Sequence, residues 1–380
     1  MNQWKKVKFL DYIKLNPSIK LNKGELYPFV EMSNAPTNAR TPDKIVYATY
    51  NGGGSKFEKN DTVIARIEPC LQNGKAFRCN VEKGFGSTEF LVFRPNNENI
   101  DSDYIYYFMH LEWIKDTMAA SMVGATGRQR VQNSIFNSLE FTLPPLHTQH
   151  RIASILSRYD SLIENYQHQI KLLEEAAQRL YKQWFVDLKF PGYQNTKIVD
   201  GVPEGWEKKK VDSIYSIKYG NNLSTKLITE EGEYPVYGAN GVIGFYDKYN
   251  CTEQVVLITS RGNGSGDVLM TYHNTSFVTN NSFIVRPLEE FDYCQLPFTF
   301  QFLSNVNFRA VRTGAAQPQL TNQSIHNVDV FLPHKEIIVR YCNIISKNYT
   351  IIIDLESQIR HLTEARDRLL PKLMNGEIEV

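Results

Sequence analysis

Within "ARIEPCLQNGK" (65–75) the chain sets Arg66, Gln72, Asn73 and Lys75 in one loop-like stretch, and "RGNGSG" (261–266) does the same with Arg261, Asn263 and Ser265. Guanidinium and carboxamide groups can each make two hydrogen bonds to one base edge, Arg to guanine and Asn or Gln to adenine. That chemistry recognises; it makes and breaks no bonds. A second set lies in "GATGRQRVQNSIF" (124–136), with Arg128, Gln129 and Arg130, and near "GAAQPQLTNQSIH" (314–326), with Arg312, Gln317 and Gln319. Lys5 and Lys6 in "WKKVK", and Lys208, Lys209 and Lys210 in "WEKKK", are candidate phosphate contacts. Each residue alone has an ordinary alternative as a solvated side chain or turn former. Recurring together in two regions, they define the candidate interface. The phrase at 124–136 itself reads as a connector that caps the preceding domain, with Ile135 and Ile325 buried, leaving Arg128 and Gln129 as candidate contacts.

Bond-making signatures do not occur. There is no GxxxxGK[ST] loop, "GNGSG" lacks GxGxxG spacing, and neither HExxH nor GxSxG is present. The Asn/Asp-Pro-Pro-aromatic motif of amino-methylating enzymes is missing, since "LPPL" (143–146) offers no polar group to an amino nitrogen. The five cysteines (70, 79, 251, 294, 342) include no CxxC pair, arguing against a structural zinc site or a disulfide framework. The expectation is a chain without catalysis, metal or cofactor, in a reduced cytoplasm.

The elements that position these loops come in two copies. Aligning Gly124 with Gly314 pairs Gln129 with Gln319, Ser134 with Ser324 and Ile135 with Ile325. One residue then drops out, so that Leu143-Pro144 falls on Leu332-Pro333, and the register holds to Arg179-Leu180 and Arg368-Leu369. Upstream the likeness is looser: "WKKVKFLDYI" and "WEKKKVDSIY", "FLVFRP" and "SFIVRP". Each half has a variable front and a better-preserved back.

The backs are helices. Ile152, Leu156, Tyr159, Ile163, Tyr166, Ile170, Leu173, Ala177, Leu180 and Trp184 fall in alternating steps of four and three, the period of a coiled-coil seam. The second seam is Tyr341, Ile345, Asn348, Ile352, Leu355, Ile359, Leu362, Arg366, Leu369 and Leu373, with Asn348 and Arg366 as polar exceptions that can fix register. Such helices need a partner face, and the nearest is the other copy. A pseudo-twofold axis makes the pair an antiparallel coiled coil with a front domain at each end. The fronts alternate β-rich runs such as "STEFLVFR" and "EQVVLITS" with Gly/Asn loops, a mixed α/β pattern. The predicted fold class is therefore α+β: a first front at 1–145, a helix at 146–190, a second front at 191–333 and a helix at 334–380.

A Trp-led opening, a Gly/Arg loop, "LPPL", a heptad helix ending near "KQWF", then "VPEGWE" and a second round resemble the specificity subunit of type I restriction–modification systems (HsdS). The resemblance spans essentially the whole chain. It implies that the fronts are target recognition domains reading double-stranded DNA. The helices would separate them and dock two methyltransferase subunits, with a motor-nuclease subunit joining the complex. One departure concerns an acidic-Gln pair the family often shows after "LPPL". Here Thr148-Gln149 and Glu336-Ile337 each keep half of it, which leaves the role of those positions open.

Composition neither demands nor forbids this. The net charge is +1, with +3 over residues 1–145 and −3 over 191–333, so a nucleic-acid binder must concentrate charge locally. The residues alone leave two rivals standing: a coiled-coil scaffold whose fronts bind protein, and the recognition part of a split methyltransferase-nuclease. No apolar run approaches the ~20 residues of a membrane span.

Overall fold

The computed structural model describes residues 4–37, 39–42, 44–125, 127–230, 232–314 and 318–380. It divides into two compact units, Met1–Gln167 with Gln358–Val380, and His168–Ser357. Each unit therefore holds one front domain and a segment of both long helices.

In the first unit the chain forms β1 (Lys5–Lys8), a single turn α1 (Phe9–Tyr12), then β2 (Ile13–Leu15), β3 (Leu26–Val30), β4 (Val46–Thr49), β5 (Ser55–Glu58), β6 (Thr62–Ala65), β7 (Ala76–Arg78), β8 (Lys83–Gly86) and β9 (Phe90–Pro95). Helices α2 (Ser102–Phe108) and α3 (Glu112–Ala120) and strand β10 (Glu140–Leu143) complete the front. Two four-stranded sheets result, in the orders β2-β9-β6-β7 and β4-β3-β8-β5, the β3–β8 pair being parallel. Strand β6 has all four residues buried because both of its faces are covered. A ribbon of β1 and β10 pairs Lys5 with Leu143 and Lys8 with Glu140, closing the front where the long helix begins. Phe141 and Leu143 alternate inward along β10, as a half-buried strand requires. Phe141 packs on Phe108 in a tilted pair at 4.4 Å, and Phe9 meets Phe136 at 4.9 Å in the same core.

Helix α4 (Leu146–Tyr181) follows and ends in a π-turn, Lys182–Val186. No Pro or Gly interrupts it, and the chain turns away at Gly192, whose φ of 93° is the left-handed conformation glycine adopts without strain. The seam is legible in the burial. Leu156, Ile163, Ile170, Ala177 and Trp184, each seven apart, are buried, while Tyr159, Tyr166, Leu173 and Leu180 between them are half-buried.

The second unit repeats the plan. A small hairpin of β11 (Ile198–Val199) and β12 (Val202–Pro203) leads to β13 (Glu207–Lys210), β14 (Tyr215–Tyr219), β15 (Tyr234–Gly238), β16 (Gly241–Tyr246), β17 (Val256–Thr259), β18 (Val268–Met270), β19 (Phe277–Val278) and β20 (Ser282–Pro287). Helices α5 (Leu296–Ser304) and α6 (Asn322–His326), strand β21 (Asp329–Leu332) and helix α7 (Lys335–Met374) end the chain. The sheets run β14-β20-β17-β18 and β16-β15-β19, and β13 pairs β21 as β1 pairs β10. In α7, Tyr341, Ile345, Ile352, Leu355 and Leu373 are buried and Ile359, Leu362 and Leu369 half-buried. At one step the seam departs from the heptad. Tyr349 is buried and Asn348 only half-buried, because the Tyr349 hydroxyl reaches the front domain and accepts from Gln301 Nε2 at 3.1 Å.

Structural equivalence also corrects the alignment of the repeat. The ribbon registers and the buried pairs Phe136/Ile325 and Val131/Leu320 place the dropped residue inside the loop after Gly124, not after Ile135. From Arg130, matched to Gln319, the offset is a constant 189. Ile135 is consequently half-buried and Phe136 takes the core position. The same offset matches Gln149, not Thr148, to a fully buried apolar residue, Ile338.

Each front is fastened to its helix segment by buried or half-buried polar contacts. In the first unit Gln149 is fully buried; its Oε1 accepts from Asp101 N at 2.8 Å and its Nε2 donates to Asn99 O and Pro144 O. Glu164 Oε1 accepts from the main-chain nitrogens of Arg40 and Thr41, both at 3.0 Å. In the second unit Tyr272 Oη donates to Glu174 Oε1 at 3.2 Å.

Candidate nucleic-acid interface

The two sequence stretches that carry the candidate readers are zipped together in both units. In the first, Arg130 bridges Ile67 and Val123, Glu68 N donates to Gln129 O at 3.0 Å, and Val131 N donates to Arg66 O at 2.9 Å. In the second, Gln319 bridges Arg261 and Thr313, Gly262 N donates to Pro318 O at 3.0 Å, and Leu320 N donates to Ser260 O at 2.8 Å. Main-chain bonds thus hold the paired loops, which frees side chains from that duty. Gly124 makes the first loop possible. Its φ is 138°, and a Cβ there would lie 3.1 Å from Arg128 O.

The side chains divide into ties and free groups. Arg66 Nη2 donates to Val131 O at 3.0 Å, and Lys75 Nζ donates to Met32 O at 2.7 Å. Arg130 clasps Glu89 through Nε and Nη2 at 2.8 to 2.9 Å, and this carboxylate holds its guanidinium pKa above the ordinary value. Arg312 donates to Asn263 O at 3.2 Å and to Ser265 O. Ser265 is fully buried, and its hydroxyl has no partner among the described residues. Gln72, though exposed, donates to Glu68 Oε1 at 3.0 Å. Asn73 and Arg128 in the first unit, and Arg261, Asn263 and Gln319 in the second, are exposed with no side-chain bond among the described residues. Gln129 is half-buried, and Gln317 lies outside the described residues.

The lysines are placed elsewhere, on the ribbons that lead into the long helices. Lys6 pairs with Glu140 at 2.7 Å, Lys208 and Lys210 with Asp329 at 3.0 and 2.6 Å, and Lys209 with Glu207 at 2.8 Å. Lys5 is exposed. The structure does not bring this group to the loop pair. Residue types alone did not point to the loop-fixing acids Glu68 and Glu89, or to Arg309, which pairs with Asp267 at 2.6 Å. Glu89 reaches Arg130 across 41 residues, Arg309 reaches Asp267 across 42, and Glu68 also accepts from Gly127 N across 59, beyond any local pattern. Nor did they point to Val242 and Ile243, exposed on the edge strand β16. The turn before them brings Asn240 against Gly264 of the candidate loop.

Among the described residues no group of three His, Cys, Asp or Glu is placed to hold a metal ion. Burial raises the thiol pKa of Cys79 and Cys294 to about 12, opposing thiolate chemistry.

The family profile described as "Type I restriction modification DNA specificity domain" matches residues 2–175 and again 203–364, one match for each half. The chain belongs to this family. Among curated relatives it is similar to the type I restriction enzyme MjaIX specificity subunit of Methanocaldococcus jannaschii, 25% identical over 74% of this chain and 70% of that one. It is also similar to the HindI specificity subunit of Haemophilus influenzae, 21% identical over 84% and 87% of the two chains. In fold it resembles the crystal structure of a type I restriction–modification S subunit from M. genitalium, with a TM-score of 0.58 and 18% identity over 98% and 96% of the chains. Two mixed α/β domains, each leading into a long helix, are the fold this chain shares with that S subunit. No helix among the described residues is long and apolar enough to cross a membrane.

Proposed function

We propose that the chain is the non-catalytic DNA-specificity subunit of a type I complex, each front reading one half of a bipartite, asymmetric site in double-stranded DNA. One observation carries the reading. The same main-chain zipper is built twice, yet it presents Asn73 and Arg128 in one unit and Arg261, Asn263 and Gln319 in the other. Identical scaffolds with different hydrogen-bonding groups suit two different short half-sites.

The paired helices set the unread gap. About 33 residues of seam at ~1.5 Å each extend roughly 50 Å, equivalent to about 15 base pairs at ~3.4 Å. The outer helix faces serve as docking surfaces for methyltransferase subunits, which flip a target adenine out of the duplex. In support, Ile344 and Ile351 are seven residues apart on α7 and 52% and 46% exposed, and Leu162, the repeat equivalent of Ile351, is exposed on α4. Exposed apolar stripes on otherwise paired helices suit a protein partner. A motor-nuclease subunit adds cleavage, and the working compartment is the cytoplasm.

The test is a gel shift with the methyltransferase partner present. Binding is expected at one bipartite sequence and should weaken steeply with salt. Replacing residues 1–145 by the front of another specificity subunit should change one half-site only, and deleting one heptad from each helix should shorten the gap. Sequence-blind binding, or a front swap that alters both half-sites, refutes the reading.

A further inference from the structure

Asp160 on α4 and Arg366 on α7 form an ion pair in the first unit, Oδ1 to Nη1 at 2.7 Å, with the side chains 3% and 16% exposed. Tyr107 of the front domain donates its hydroxyl to the other carboxylate oxygen. Arg366 keeps a second acceptor in Asp367, at 2.9 Å, on the helix surface. At an offset of 189 the equivalents in the second unit are Tyr349 for Asp160 and Ala177 for Arg366. There both positions are uncharged: Tyr349 and Ala177 are buried in one apolar core, and Gln301 Nε2 donates to the Tyr349 hydroxyl. The two units thus solve the same repeat position in incompatible ways.

The incompatibility matters because the halves are alike. A half spanning Met1 to the linker near 191–200 has, in principle, two partners for its helix: the other half, or the same half from a second copy. Pairing with itself would set Asp160 against the copy's Ala177, leaving a buried carboxylate with Tyr107 but without its ion-pair partner Arg366. The other half pairing with itself would set Arg366 against Tyr349, a buried guanidinium with only Asp367. A buried charge stripped of its counter-ion is strongly destabilising, whereas an uncharged pair tolerates either arrangement. We infer that Asp160 and Arg366 make each half select the opposite half, and exclude a second copy of itself, as its helix partner. Arg366, a polar interruption of the heptad, is then the register and partner determinant that a single buried polar seam residue provides in other coiled coils. The inference does not depend on DNA being the ligand.

The experiment uses the full chain with a protease site placed in the exposed linker at 193–201 and different tags on the two halves. The cleaved protein is warmed through its melting transition and cooled, and native mass spectrometry counts the pairs formed. Wild-type halves should re-form opposite pairs, with like pairs at least a hundredfold rarer. Transplanting the second unit's solution (Tyr107→Gln, Asp160→Tyr and Arg366→Ala together) should shift the result towards a random mixture. Like pairs from wild-type halves at the level of the transplant overturn the inference. A parallel measurement uses the uncleaved chain: Asp160→Asn and Arg366→Met should each lower the Tm, and unchanged melting in both variants also overturns it.

Discussion

Replacing Gln149 by Leu isolates the contact through which the first front grips its helix. The side chain is fully buried and makes three hydrogen bonds, one accepted from Asp101 N and two donated to Asn99 O and Pro144 O. Leu roughly preserves volume, and the equivalent position in the second unit holds a fully buried apolar residue, Ile338, within an apolar core. Each bond contributes ~1 kcal/mol net, and an orphaned buried partner adds more, so the loss is about 3 kcal/mol. For a unit of this size that is a fall in Tm of about 6–12 °C. Calorimetry should show one transition moving by that amount. Hydrogen exchange should show the 99–104 segment losing protection, because Asp101 is also the N-cap of α2 and accepts from Tyr104 N at 2.8 Å. A fall below about 2 °C would mean that the front is held by its apolar core alone. The converse change, Ile338→Gln, buries an amide without partners and should destabilise the second unit.

Two further outcomes separate recognition from architecture and probe the helix pair. Arg128→Ala should leave the Tm unchanged and weaken DNA binding at one half-site, reducing the salt slope by about one if the guanidinium meets a phosphate; Arg66→Ala, which releases Val131 O, should lower the Tm instead, and the reverse pattern would exchange their roles. In the second unit, Glu174 on α4 and Glu356 on α7 both have pKa values raised by burial, and the Glu174 charge raises that of Glu356 further. A raised carboxylate pKa means that the ionised form is disfavoured in the fold, so stability is lost as pH climbs past the folded pKa. Glu356→Gln should therefore raise the Tm above that pKa, with the advantage shrinking as pH falls to the ordinary carboxylate range; a gain equal at pH 4 and pH 8 would contradict the assignment.

The repeat, the seam and the alternation of strands and loops are all legible because they follow from local periodicity. Leu156, Ile163 and Ile170 recur every seven residues whatever surrounds them, and their burial is the consequence. The site is legible only as a region. Which arginines stay free depends on acceptors remote in sequence: Val131 O for Arg66, Glu89 for Arg130, Ser265 O for Arg312. No spacing rule encodes those encounters. The one-residue slip in the repeat has the same origin. Ser134/Ser324 and Ile135/Ile325 match as letters, but the core needs Phe136 where the other copy has Ile325, and packing outranks identity.

On the proposed reading, the division between ties and free groups lets one scaffold carry different specificities. If the readers held the loops together, every change of target would also threaten the fold. Here the zipper is main chain to main chain, from Glu68 N to Gln129 O in one copy and from Gly262 N to Pro318 O in the other. Even the tie residues differ between copies, since Arg130 with its Glu89 clasp is matched by Gln319 without one. What the two copies share is therefore backbone geometry, and what they present is free to diverge. Substitutions at Asn73, Arg128, Arg261, Asn263 and Gln319 should accordingly change what is bound far more than whether the chain folds.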